Sequence, residues 1–365
     1  MKKPLTIGVF LPFALAFGRS ILQGVQAYAQ GQPRWRLTVS DTAHAPPAPD
    51  GFDGMIGSVG TKTWREFAVR CPAAVNISNS MVRSPVPQVI SDDRAVGRMA
   101  ADHLLHQGFR RFAFVRSTDR PFARQRQAGY EAALAEAGYA SLMLDNKTGL
   151  ARTLDRLKKP VAVFTMTDTV ARLQIQRLVE RGLRVPEEVA VLGVDDDPLE
   201  SQIAPVAISS VVLDGERIGH EAGRLLGHLL HGGAASPEPV RVPPLYVAAR
   251  RSTDRFTASH PLVAKALHVM QKQAADLATV DAVAGATGVS RRTLERLFRK
   301  EIGTPIYQEL CRAKLESIMP DLLRGSAPMF ELAARAGFTD ARLFNNVCRR
   351  IRGKPPGQLR REAQV

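Results

Sequence analysis

A chain of 365 residues exceeds what one hydrophobic core usually organises, so two or three domains are expected. The formal net charge of +15 favours a polyanionic partner and bears on association rather than on fold. Only three cysteines occur, Cys71, Cys311 and Cys348, with no CxxC and no nearby histidine pair, which argues against a disulfide framework or a zinc site and fits a reducing cytoplasm. Neither a metal nor a cofactor is expected.

The opening MKKPLTIGVFLPFALAFG supports two readings. Two lysines, an apolar run and the pair Ala14 and Ala16 resemble a secretory signal, which would suit a secreted solute-binding protein. TIGVFLP also reads as a buried strand ended by Pro12 and followed by an amphipathic helix, the way an α/β domain begins. The second reading is preferred, because cleavage would remove that strand. No apolar run reaches the roughly 18 residues that a membrane helix needs.

Short β-branched runs then alternate with helical patterns. Strands are expected at 5–11, 35–40, 53–57, 88–91, 111–115, 161–164 and 189–194, and helices at 19–30, 61–70, 94–107, 124–137 and 169–182. Repeated βα units predict parallel sheets covered by helices on both faces. The rhythm stops after VAARRSTDRFTASHP, which predicts a domain over 1–255, a linker at 256–260 and an all-helical domain over 261–365.

The smaller domain holds 18 Lys and Arg against 10 Asp and Glu, a net of +8, leaving +7 for the preceding 260 residues. It also contains an internal repeat: VAGATGVSRRTLERLFRKEIGTP (283–305) returns as LAARAGFTDARLFNNVCRRIRGKPP (332–356) about 50 residues later. Each copy reads helix, glycine turn, helix, with Gly288 and Gly337 as stops and Ser290 and Thr339 as N-caps of the second helix. That is a helix-turn-helix pattern, whose second helix lies in the major groove of duplex DNA with flanking cations on phosphates. One basic helix face is by itself ordinary wet surface; two copies with the same turn chemistry favour DNA reading.

On these motifs, residues 261–360 resemble the AraC/XylS-type DNA-binding domain, with two helix-turn-helix units joined by a long helix. The resemblance implies recognition helices at 290–300 and 340–350, with Arg292, Glu295, Arg296, Arg342, Asn345 and Asn346 toward bases and Arg291 and Arg349 as accompanying DNA-binding residues. Arg suits guanine and Asn suits adenine. Two departures from that pattern stand out: Pro320 falls inside the expected connecting helix, and Cys348 takes a position where the family usually buries a phenylalanine.

The first 255 residues resemble the type I periplasmic-binding-protein fold as used by LacI-type sensors. The likeness rests on VISDDRAVGRMAADHLLHQGFRRFAFV (89–115), FARQRQAGYEAAL (122–134), VFTMTDTVARLQIQRLVERGLRVPEEVAVLGVDDDPLES (163–201) and ISSVVLDGERIGHEAGRLL (208–226). LacI-type regulators normally begin with a DNA-reading headpiece, whereas this sequence starts at the sensor's first strand and reads DNA from its other end. The implied fold is a two-lobed α/β sensor followed by an all-α double helix-turn-helix domain, the arrangement of bacterial xylose-operon activators.

A two-lobed sensor of this kind binds its ligand between C-terminal strand ends. By motif position Arg126 and Asp195 are the leading ligand residues, since a guanidinium fork and a carboxylate can each hold adjacent hydroxyls; Asp92 and Asp168 follow. DDDP and TD can equally be helix caps. Leu213 stands where sugar sensors often place an amide, and the loop LPFALAF offers Phe13 and Phe17 as an apolar wall. The expected function is a cytoplasmic, ligand-responsive transcription activator of a sugar-utilisation operon. Its expected partners are duplex DNA, a small-molecule effector such as xylose or a related polyol, a second copy in a homodimer, and RNA polymerase. No GxSxG, P-loop, HExxH or GxGxxG arrangement occurs, and His44, His103, His106 and His220 lie in separate segments, so no enzyme is expected.

Overall fold

The computed structural model describes residues 3–145, 159–254, 260–277, 279–301, 305–352 and 354–364. The chain divides into two compact units, Met1–Thr253 and Asp254–Val365. The expected linker at 256–260 falls outside the described residues except for His260, whose ring nitrogen accepts from Leu262 N at 3.3 Å and so caps the first helix of the second unit.

The described residues of the first unit form two large sheets and a two-stranded one. Parallel strands β1 (Leu5–Leu11), β2 (Trp35–Asp41), β3 (Gly54–Gly57) and β4 (Ala74–Asn76) run in the order β2-β1-β3-β4. Helix α1 (Ala16–Gln30) follows β1, and α2 (Lys62–Arg70) lies between β3 and β4. Strand β1 is central and buried from Ile7 to Leu11, so the run that resembled a secretion signal is the spine of this lobe. Next come β5 (Val89–Ser91), α3 (Asp93–His106), β6 (Phe112–Arg116), α4 (Pro121–Glu136), β7 (Ser141–Asp145), β8 (Val161–Thr165), α5 (Asp168–Glu180) and β9 (Val189–Val194). The remaining elements are α6 (Pro198–Ile203), β10 (Ser209–Val212), α7 (Gly215–Leu230), β11 (Val240–Val242) and β12 (Tyr246–Ala248). The second sheet runs β12-β10-β9-β8-β6-β7 and is parallel except for β12, while β5 pairs with β11.

Core membership shows how the chain builds two lobes. Val96, Ala100 and Leu104 of α3 pack in the core of the six-stranded sheet, whereas Ile218, Ala222 and Leu226 of α7 pack under the four-stranded one. Val242 of β11 joins the first lobe and Val247 of β12 the second. The backbone therefore crosses three times, after β5, after β10 and after β11. Strands VAVFT and VAVLGV are buried along their whole length, as parallel strands covered on both faces must be.

The second unit is helical: α8 (Pro261–Gln273), α9 (Val280–Thr287), α10 (Arg291–Glu301), α11 (Ile306–Ser317), α12 (Met319–Arg324), α13 (Met329–Arg335), α14 (Ala341–Arg352) and α15 (Pro356–Gln364). Pro320 corrects the expected single connecting helix. That helix is two pieces joined at Ile318, and Pro320 sits in the first turn of the second piece, where its missing N–H needs no partner. Burial continues across the break through Ile318, Met319, Leu322 and Leu323. Cys348 is fully buried, so the smaller side chain keeps the core position.

Candidate effector cleft and nucleic-acid interface

In the sensor, the sequence-predicted residues come to the strand ends through a close helix crossing. Helices α3 and α4 meet at Gly97 and Gly129: a Cβ on Gly97 would lie 1.9 Å from the Arg126 carbonyl oxygen, and one on Gly129 2.0 Å from that of Arg94. Only glycine permits this approach. It brings Arg126, 4% exposed, against Asp93, 0% exposed, with Nε donating to Oδ1 at 2.8 Å. Arg126 also donates to the Met166 carbonyl and lies over the Phe122 ring, 5.3 Å from its centroid. Asp93 further accepts from Asn79 Nδ2 at 2.9 Å and from Ser91 Oγ at 3.4 Å. A buried charge pair needs such additional bonds to offset its desolvation.

The partner of Arg126 is thus Asp93 and not Asp92. Asp92 is the N-cap of α3, its Oδ1 accepting from Ala95 N at 3.0 Å. The sequence did carry a signal for the distinction: Asp93 precedes Gly97 by four residues and shares its helix face, whereas Asp92 does not.

Asp195 directly follows β9 in a left-handed conformation, φ 105°, and Asp196 comes next at φ 53°. Non-glycine residues rarely hold such angles, which cost about 1–3 kcal/mol each and cluster at functional sites. Burial pushes the Asp195 carboxyl up to about 7; the Arg126 charge opposes the rise, and the Asp93 and Asp197 charges add to it. Among the described residues the Asp195 carboxylate accepts no hydrogen bond, and the helix cap predicted as its competing role belongs to Asp197, whose Oδ1 accepts from Leu199 N at 2.9 Å.

Asp168 does different work from that expected. It is 1% exposed, and both oxygens are taken, Oδ1 by Ser210 Oγ at 2.7 Å and Oδ2 by Asp197 N at 2.8 Å. The cap of α5 is Thr167. Burial and the Asp195 charge hold the Asp168 carboxyl well above its ordinary range. It supports the 195–197 loop, each of its oxygens already accepting one hydrogen bond from that side of the site. Phe17 packs against the cores of both lobes, and Phe13 against the first lobe's core. The residues missed from sequence are Asp93, Asn79 and Asp197.

In the helical unit, Gly288 (φ 80°) and Gly337 (φ 74°) make the two left-handed turns. Ser290 Oγ caps α10 by accepting from Thr293 N at 3.2 Å. The second cap is Asp340, whose Oδ1 accepts from Leu343 N at 2.7 Å, and not Thr339. The repeat explains the shift: the turn glycines are 49 residues apart, but the buried triplets Leu294, Leu297, Phe298 and Phe344, Val347, Cys348 are 50 apart. The second turn is one residue longer. Lys314 reaches from α11 to that turn, its Nζ donating to the Gly337 carbonyl at 2.6 Å.

Arg292, Arg296 and Arg299 lie exposed on one face of α10, as do Arg342, Asn346 and Arg349 on α14, with Asn345 half-buried. Arg291 and Glu295 bond to each other at 2.8 Å, and Arg291 also donates to Asp281 at 3.0 Å. That network ties the two helices of the first helix-turn-helix together and leaves Arg292, Arg296 and Arg299 as outward cations. Exposed pairs of this kind are weak enough to exchange for phosphate.

A two-lobed sensor with a charged cleft, joined to a helical unit carrying two basic recognition helices, defines a ligand-responsive transcription regulator. A family model described as a periplasmic binding protein-like domain matches residues 101–253, and one described as a helix-turn-helix domain matches 283–362. The two matches and the relatives that follow mark the chain as a ligand-responsive transcription regulator with a periplasmic binding protein-like domain followed by a helix-turn-helix domain. It is similar to the xylose operon regulatory protein of Escherichia coli strain K12, 27% identical over 94% of each chain. It is also similar to that of Haemophilus influenzae, 26% identical over 94% of this chain and 95% of the other. A solved structure of a xylose-binding transcription activator superposes with TM-score 0.62 at 26% identity, covering 99% of this chain and 98% of that one. A CelR–cellobiose complex shares the sensor fold, with TM-score 0.57 at 24% identity over 69% of this chain and 85% of that one. These relatives are transcription regulators rather than enzymes. No helix among the described residues is long and apolar enough to cross a membrane, and no group of three His, Cys, Asp or Glu side chains among them could hold a metal.

Proposed function

We propose that the sensor binds a sugar between its lobes, with D-xylose as the first candidate, and that the protein acts in the cytoplasm as the activator of a sugar-utilisation operon. The observation that carries this reading is the Arg126–Asp93 pair, buried beside an Asp195 carboxylate that accepts no hydrogen bond among the described residues. Arg126 presents a fixed guanidinium edge and Asp195 an acceptor, a combination that holds vicinal hydroxyls bidentately. Phe17 supplies an apolar wall for a sugar face. The name of the xylose-binding relative supports the choice of pentose.

The protein works as a homodimer, so that two double-motif readers occupy two half-sites, and RNA polymerase is the further partner through which it activates. Half-site spacing then follows the helical repeat, and moving one half-site by about five base pairs impairs binding. The test is calorimetric titration of pentoses, hexoses and polyols into wild type and Asp195→Asn, followed by operator binding and transcription with and without the bound sugar. Asp195→Asn keeps the shape, loses the charge, weakens the sugar and leaves basal DNA affinity unchanged. A variant that responds at the wild-type sugar concentration removes Asp195 from the site, and a monomer on DNA by light scattering removes the dimer.

A further inference from the structure

Helix α1 begins without a cap of its own. Its N-cap residue is Leu15, which has no side chain to accept a bond, and its first turn holds no acidic residue. The acceptor comes instead from the other lobe: Asp197 Oδ2 takes the Ala16 N–H at 3.0 Å, and Arg19 adds a looser ion pair at 3.9 Å. The other oxygen of the same carboxylate caps α6, so Asp197 caps one helix in each lobe at once and is only 6% exposed. Its own backbone N–H is held by Asp168, and it stands two residues after Asp195 on the left-handed loop.

We propose that Asp197 is a positioning residue and closure latch, a carboxylate that joins the lobes only when the 195–197 loop meets the start of α1. The proposal rests on the reading of this cleft as the effector site. Opening the lobes strips α1 of its capping anion, which a helix N-terminus favours, and leaves the second oxygen of Asp197 to water. An effector held at Asp195 fixes the loop that carries the latch, so ligand binding and lobe closure reinforce each other. With both of its oxygens engaged by backbone N–H groups, Asp197 sets the strength of the response and not its chemical selectivity.

Two substitutions in the full-length chain test the latch from opposite sides. Ala16→Pro removes the donor from the first lobe. Ala16 is the first helical residue, where proline fits without cost to the helix, and Leu15 at φ −94°, ψ 139° already has the backbone that precedes proline. Asp197→Asn leaves one acceptor oxygen for two N–H groups. The lobe separation is read by energy transfer between dyes on Lys62→Cys and Arg184→Cys, one exposed position in each lobe, since the native cysteines are buried. Both variants are expected to lengthen the distance in effector-free protein and to weaken D-xylose by roughly tenfold or more, the size of one charge-assisted bond. Their ranking of pentoses stays that of wild type. Wild-type distance and wild-type D-xylose affinity in Ala16→Pro overturn the latch; if that variant does not fold, Asp197→Asn decides by the same two readings. Failure of wild type to bind D-xylose sinks the effector assignment alone, and the dye distances then judge the latch.

Discussion

Replacing Asp93 by Asn retains the volume of the side chain but leaves the Arg126 guanidinium buried without its counter-charge. Both groups are almost fully enclosed, with side-chain exposures of 5% for Arg126 and 0% for Asp93, so solvent screening cannot make up the loss. Breaking such a pair from one side costs about 3–5 kcal/mol. In a domain of this size each kcal/mol moves the midpoint by about 2–4 °C, which puts the expected fall in the sensor's unfolding temperature at roughly 6–20 °C. Scanning calorimetry of the full-length protein measures it, with D-xylose titrated in parallel. The double variant Asp93→Asn/Arg126→Met removes both charges of the pair and is expected to regain much of the stability while still failing to bind sugar. A midpoint within about 2–4 °C of wild type for Asp93→Asn, or a double variant no more stable than the single one, refutes the pair as the organiser of the cleft.

Gly129→Ala places a methyl 2.0 Å from the Arg94 carbonyl, so α3 and α4 must separate; sugar affinity and thermal midpoint are expected to fall together, and a variant that loses neither contradicts the crossing. Arg296→Ala is expected to cost about 1–3 kcal/mol on a specific operator and much less on random DNA in electrophoretic titrations; equal losses on both identify a phosphate contact instead. The Asp195 carboxyl, raised to about 7 by burial, gives two pH dependences. Its contribution to fold stability is complete below the ordinary carboxylate range and is lost as pH rises through about 7, so the effector-free sensor should melt lower at pH 8 than at pH 5 by an amount that Asp195→Asn abolishes. Sugar affinity runs the other way, about tenfold weaker at pH 6 than at pH 8 if only the ionised form accepts the hydroxyls, and a flat calorimetric profile counts against that role.

Much of this architecture could be read directly from the chain. The βα alternation and the 50-residue repeat place the main elements, because hydrophobic periodicity and glycine stops are local signals. The strands that escaped it, β4, β7, β10, β11 and β12, are three to five residues long and carry too little pattern to stand out. Arg126 and Asp195 could be singled out by motif position, and the double recognition helix by its repeated turn chemistry.

Which of two adjacent aspartates pairs with Arg126 is hinted at locally only by the four-residue spacing of Asp93 from Gly97. Asp92 and Asp93 have the same chemistry, and only the glycine-permitted crossing of α3 and α4 turns Asp93 inward onto Arg126. The same holds for Asp168, whose two oxygens are claimed by a serine 42 residues and a backbone N–H 29 residues further along. Thr339 yields its capping role to Asp340 because core packing sets the helix register, and the turn absorbs the extra residue. Asp197 is the plainest case, since the N–H that it accepts lies 181 residues away in the other lobe. Sequence determines what each stretch can bury, cap or stop; tertiary packing decides which of several equally suited polar groups meets a partner, because hydrogen bonds and ion pairs form over about 3 Å and neighbours at that range are brought there by the fold.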